Sequence, residues 1–183
     1  PELRSLYEIT LLPQTNQLQD YFLGVMGILS EYFSIGYSAL ILQDLQKGCL
    51  YVEALYGIGR ETHPLTCSSQ KGMISKVLES RQPVAIQNLN QEPLYEEMMK
   101  GMKRIEKVQP PLLCIPLIAD DEPFGVININ SLYGLRDEFA EDFQFLSILS
   151  AILSPVIKNY QKKNWTPQKS GKQKAKSSLL DEI

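Results

Sequence analysis

A chain of 183 residues with a single histidine offers few starting points for catalysis. No Ser/His/Asp triad can be built without His63, and no partner for it stands out. His63 and Cys67 lie four residues apart, so the two side chains could share a metal ion. A zinc site needs about three or four ligands, and neither C-x-x-C nor H-x-x-x-H occurs. A loop histidine and a small packing cysteine is the competing reading. Asp120 and Asp121 are adjacent carboxylates that suit a cation, and suit a solvated tight turn equally well. Gly57-Ile58-Gly59 is half of a dinucleotide fingerprint, with no helix directly after it. It reads as a turn, and no phosphate-binding G-x-x-x-x-G-K-[ST] run is present. These residues imply no catalytic set, no metal site and no resident cofactor.

The elements follow from periodicity. Pro1–Leu12 reads as a short helix, and Thr15 or Asn16 caps a second that runs to about Phe33 on the stripe Leu18, Phe22, Val25, Leu29, Phe33 and ends at Gly36. The period then changes to that of strands. Tyr37–Leu45 and Cys49–Tyr56 form a hairpin around Gln46-Lys47-Gly48, and a long loop follows. Residues 70–81 are helical. Residues 83–87 form a short strand, placed at a sheet edge by Pro83. Residues 92–107 are a polar, methionine-containing helix or helix-loop. Leu112–Ala119 and Pro123–Ser131 are strongly apolar strands turned by Asp120-Asp121-Glu122, and a long helix spans 137–164. This order gives an α+β fold with a largely antiparallel sheet.

The composition is that of a globular protein, 44% hydrophobic and 21% charged. No apolar run reaches the ~20 residues needed to span a bilayer. The net charge of −3 divides unevenly: residues 158–183 hold seven lysines and two acids, so the folded part is acidic and carries no nucleic-acid footprint. Residues 1–164 are read as one domain and 165–183 as a basic linker towards a further module. Cys49, Cys67 and Cys114, odd in number and widely spaced, argue against a disulfide framework and fit a reducing, cytoplasmic setting.

Four stretches, in order, carry a family resemblance. They are Ala54-Leu55-Tyr56-Gly57, the run from Lys71-Gly72-Met73-Ile74 to Gln82-Pro83-Val84, Leu113-Cys114-Ile115-Pro116-Leu117, and Gly125-Val126-Ile127-Asn128-Ile129-Asn130 before a final helix with Phe139 and Asp142. Together they resemble the GAF domain family over about residues 3–160. Residues 87–104 and the lysine-rich tail resemble the regulatory domain of nitrogen-fixation transcription activators, which work with the sigma-54 polymerase. Asn130 is followed by Ser131 where cyclic-nucleotide-binding members carry Lys, and Cys67 by Ser68 where pigment-binding members carry His. Both departures argue against those ligands.

The resemblance implies a central antiparallel sheet of five to six strands, with terminal helices on one face and a ligand pocket on the other. It also implies a pocket roofed by residues 90–108. That segment places Tyr95, Met98 and Met102 beside Lys103 and Arg104. Methionines adapt to irregular surfaces, and a guanidinium grips carboxylate or phosphate in a fork. An anionic metabolite such as 2-oxoglutarate is the expected ligand, with Arg104 as clamp and Tyr51 and Cys114 in the floor. A solvated basic helix face is the competing reading. The last helix has a second apolar stripe, Phe145, Leu149, Ile152 and Val156, expected to meet a second copy with help from Leu3 and Leu6. Pro155 should kink that helix or start a new one capped by Ser154. The function expected is a sensor of a small molecule or partner protein that controls a downstream ATPase module as a homodimer, without contacting nucleic acid or membrane. The alternative is a dimerisation or scaffold module with no ligand.

Overall fold

The computed structural model describes residues 1–44, 46–57, 67–68, 72–86, 112–131 and 139–164. Six strands are β1 (Ile35–Gln43), β2 (Leu50–Tyr56), β3 (Cys67–Ser68), β4 (Val84–Ile86), β5 (Leu112–Ala119) and β6 (Glu122–Ser131). They form one sheet in the order β3-β2-β1-β6-β5-β4, and every neighbouring pair is antiparallel. The helices are α1 (Glu2–Thr10), α2 (Leu18–Phe33), α3 (Met73–Ser80) and α4 (Phe139–Asn164). The proline-led strand β4 sits at an edge, where its partnerless side removes nothing from the ladder.

Local chemistry sets the turns. Asp44 Oδ1 accepts from the Gln46 and Lys47 amides, each at 2.8 Å, which closes the β1–β2 connection with Gly48 at φ +66°. These two backbone bonds hold the Asp44 carboxyl below its ordinary value. Asp120 and Asp121 are the central residues of the β5–β6 turn, both at positive φ (55° and 59°). That is the handedness a two-residue hairpin needs, so the acidic pair is turn chemistry. Gly57 is a steric necessity as well as a conformational one: at φ +80°, a Cβ there would lie 1.9 Å from the Gly36 carbonyl oxygen.

The sheet carries two separate cores. On one face α2 and α4 bury Phe22, Met26, Leu29 and Phe33 against Leu40, Leu42, Ile115, Ile127 and Ile129. Phe33 stacks on Phe145 of α4 with ring centroids 4.9 Å apart. On the other face α3 packs over β5 and β6 and brings Ile74 and Val77 onto Tyr37, Ala39, Ile41, Val52, Leu112, Cys114 and Val126. Each large side chain so buried contributes about 1.5–3 kcal/mol.

Several expectations change. Gln17 is the residue that precedes α2, without a capping side-chain bond, while the Thr15 hydroxyl donates to the Gln17 carbonyl. Helix α2 ends at Ser34 in the left-handed conformation (φ 52°), two residues before Gly36, which lies in β1. Cys49 is disulfide-bonded, which the reading of three spaced thiols did not anticipate. Pro155 does not end α4, which is helical from 139 to 164. Pro155 and Ala151 both face solvent, so the carbonyl that proline leaves unbonded can be hydrated. Ser154 is not a cap: its hydroxyl donates to the Ser150 carbonyl at 2.8 Å and accepts from the Ile118 amide at 3.1 Å. No helix among the described residues is long and apolar enough to cross a membrane.

Candidate functional site

The two faces of the sheet separate residues that the sequence grouped together. Tyr51 packs against the helix-side core, whereas Cys114 is fully buried in the α3-side core. They cannot share one floor. The parity is set by a bulge: β1 and β2 pair Leu40 with Ala54 but Ile41 with Val52, leaving Glu53 as the extra residue. Tyr51 instead belongs to a polar cluster where the end of α4 meets the start of α2. Gln161 Nε2 donates to the Gln43 carbonyl and Gln19 Nε2 to the Glu53 carbonyl, both at 2.9 Å. Burial first, and then the Glu53 carboxylate, push the Tyr51 phenol up to about 12. Burial likewise raises Glu53, and a hydrogen bond from Tyr51 offsets part of that. Tyr160 extends the cluster, stacking on Tyr21 and donating to the Thr15 carbonyl at 3.0 Å.

The α3-side face holds the site of interest. Directly opposite residues on paired strands point to the same face. Asn128 lies opposite Ala39 on one side and Cys114 on the other, both members of the α3-side core. It is 4% exposed, and its Oδ1 finds no hydrogen-bond partner among the described residues. A buried polar group without a partner costs about 1–3 kcal/mol. Asn130, also buried, lies on the same face opposite Tyr37. The sequence displayed Asn128 only as one letter of a family pattern; its burial and its neighbours emerge from strand register.

Of the other expected ligand residues, Tyr95, Met98, Met102, Lys103 and Arg104 lie outside the described residues, as does His63. Among the described residues no three His, Cys, Asp or Glu side chains form a metal-binding group. The expected second-copy surface also divides. Phe145 and Leu149 are buried in this chain's own core, at 8% and 2% exposure, and Leu6 packs against that core. Phe145 and Leu149 are therefore covered within the chain, and Leu6 is partly so. Leu3, Ile152 and Val156 do face solvent, and Ile148 joins the last two to make an i, i+4, i+8 stripe. Leu3 and Tyr7 of α1, and Leu11 just past its end, are exposed as well.

Comparison with known proteins is consistent with this architecture. The chain is 22% identical over 164 residues to a Nif-specific regulatory protein of Enterobacter agglomerans, covering 86% of this chain and 31% of that protein. It is 21% identical over 161 residues to the Nif-specific regulatory protein of Azospirillum lipoferum, covering 86% and 26%. The chain thus spans about a third or less of the length of the curated relatives it matches. Among solved structures, a GAF domain from an Acinetobacter phosphoenolpyruvate-protein phosphotransferase superposes with a TM-score of 0.64 at 17% identity, covering 88% of this chain and 92% of that one. The A. aeolicus nlh2 GAF domain in an inactive state gives 0.63 at 19%, covering 86% and 96%. A free methionine-R-sulfoxide reductase from Neisseria meningitidis gives 0.59 at 15%, covering 87% and 89%. At these identities the superpositions speak for the fold. The family model of the GAF domain matches residues 18–158, and with the sheet order and helix layer described above the chain belongs to the GAF domain family.

Proposed function

We propose that this chain is the regulatory sensing domain of a sigma-54-dependent transcription activator, acting in the cytoplasm and without catalytic activity of its own. It takes up a small-molecule effector or a partner protein on the α3 side of the sheet and passes the change through α4, as a homodimer, to an attached ATPase module. The observation that carries this reading is the double use of the sheet. The same central strands floor a core under α3 and a core under the terminal helices, and those helices keep an apolar stripe outward. Signalling of this kind requires unequal affinity for two conformations, because equal binding shifts nothing. The likeness to the Nif-specific regulators supports the class of output. Among the described residues, Cys114 is fully buried and Cys49 is bridged, which leaves neither thiol as a ready nucleophile.

The first effector class we propose is a small dicarboxylate such as 2-oxoglutarate, with Arg104 as its clamp. Calorimetric titration of small dicarboxylates into wild type and Arg104→Ala tests it. Binding to wild type that Arg104→Ala loses supports the clamp. Equal binding to both removes Arg104 from the site, and no binding to wild type removes the anion. A thermal-shift screen against a metabolite panel separates a sensor from a scaffold module without ligand, since a compound that binds the native state raises its apparent stability.

A further inference from the structure

The geometry points to a floor subsite, centred on Asn128, that takes the amide edge of a ligand: a primary carboxamide or a lactam, which offers a carbonyl and an N–H side by side. The inference rests on the sensing reading and refines its effector: an acid that keeps one carboxylate for Arg104 and brings an amide edge, in place of the other carboxylate, to the sheet.

Register places five residues in one row across the α3-side face: Leu55 on β2, Ala39 on β1, Asn128 on β6, Cys114 on β5 and Val84 on β4. The two residues that flank Asn128 are small, and both are fully buried. The next row contains Ile41 and Val126, and the row on the other side pairs Tyr37 with Asn130. The middle row is therefore the low line of the sheet face, with larger side chains on both sides. At its centre stands an amide whose oxygen has no partner among the described residues. An apolar side chain of similar size would fill that position without leaving a buried acceptor unpaired. An acceptor left over in this place is free to meet a ligand.

The chemistry of the amide then selects the ligand. An Asn side chain is one acceptor and one two-proton donor held side by side on the same carbon in one plane. Its natural complement is another amide edge, which accepts from Nδ2 and donates to Oδ1 in a paired fashion. A carboxylate meets only half of that pattern, because it has no hydrogen to give to Oδ1. Ala39 and Cys114, small residues directly beside Asn128, keep the row low where an amide edge would lie. A site that hydrogen-bonds both parts of such an edge rejects analogues that lack the donor, because a buried polar group is then left unpaired.

Matched pairs isolate this property. Succinamate against succinate, and nicotinamide against nicotinate, differ only in amide against carboxylate. Each is titrated into wild type and Asn128→Leu by calorimetry, with melting temperature as a parallel readout. The expected result is at least tenfold tighter binding of the amide member of a pair to wild type, with that preference abolished in Asn128→Leu. The variant should melt at or above the wild-type temperature, since an orphaned acceptor has been removed. Where leucine overfills the row, Asn128→Ala replaces it and the loss of amide preference is read instead. If the acids bind as well as or better than the amides, or if Asn128→Leu keeps the preference, the amide subsite is wrong while sensing stands. If a broad metabolite panel, amides and acids included, leaves the melting temperature unmoved, both readings fall together. A lower melting temperature in Asn128→Leu together with unaltered amide preference assigns Asn128 to the packing of α3.

Discussion

At the scale of single residues, the polar cluster around Tyr51 makes a pH prediction with a definite sign. Glu53 is raised by burial on the helix-side face. A carboxyl whose folded-state value lies above its unfolded value binds its proton more tightly in the fold. Its stabilising contribution is present below the unfolded value and is lost as pH rises through the folded one. At neutral pH the ionised, half-buried carboxylate therefore weakens the structure. Glu53→Gln removes the titration and keeps an acceptor for the Tyr51 hydroxyl. The variant should melt above wild type at pH 7, and the gap should close as the pH approaches about 4. Thermal melts across that range check it; a gap that widens on acidification would contradict the burial assignment. Tyr51 of β2 thus packs on the helix layer, whereas Asn128, two strands away, and Cys114, three strands away, serve the opposite side.

At the scale of elements, α4 is fastened to β5 by two serine hydroxyls. Ser150 donates to the Pro116 carbonyl at 3.2 Å and Ser154 accepts from the Ile118 amide at 3.1 Å. These groups flank the bulge between Leu117 and Ile118, where the ladder with β6 shifts register, so the helix supplies partners for backbone that the sheet leaves over. Both serines are buried. Ser154→Ala strands the Ile118 amide and should lower stability by about 1–3 kcal/mol, whereas Pro155→Ala next to it, on the exposed side, should raise it by about 1 kcal/mol or more as a helix-interior proline is removed. Urea unfolding of the two variants reads the opposite signs directly. The proline was legible in the sequence, and a kink or a new helix was expected there; the helix does not restart at it. What the sequence did not display is that residues 155–164 are tied down by other elements: Lys158 sits 4.5 Å over the Phe124 ring, Tyr160 bonds to the α1–α2 connection and Gln161 to β1. A helix held on both sides of a proline stays continuous.

At the scale of the whole molecule, the exposed stripe Ile148, Ile152 and Val156, with Leu3 and Tyr7 of α1 and Leu11 just past its end, is the surface that a second copy would cover. Replacing Ile148 and Ile152 together by Asp should leave the fold intact, since both are half exposed, and convert a dimer at high micromolar concentration into a monomer. Light scattering measures this; a wild type that is already strictly monomeric removes the dimer from the proposal. The hairpins, the edge strand and the long helix could be read from periodicity because each spans several residues of one pattern. β3 could not, being two residues within a stretch that reads as loop. Nor could the faces be assigned. β1 and β5 are buried on both sides, so the apolar residues of their central stretches do not alternate with polar ones. A single bulged residue, Glu53, then reverses the parity along β2 and turns Tyr51 to the helix layer. Phe145 and Leu149 misled for a related reason: α4 faces the sheet and α2 together, and a helix filling two walls needs an apolar arc wide enough to resemble a second interface.

Strand β6 has a further consequence. Phe124, Ile127 and Ile129 belong to the helix layer, while Val126 belongs to the α3 side and Asn128 faces it. One strand is thus a party wall between two rooms. An effector that shifts β6 from the Asn128 side must do work on the helix packing, and free-energy coupling between two sites is reciprocal. Helix-layer substitutions far from any ligand, or a cross-link that freezes the outward stripes of two copies together, should therefore alter effector affinity by the same factor by which the effector alters association, about 5–150-fold for a coupling of 1–3 kcal/mol.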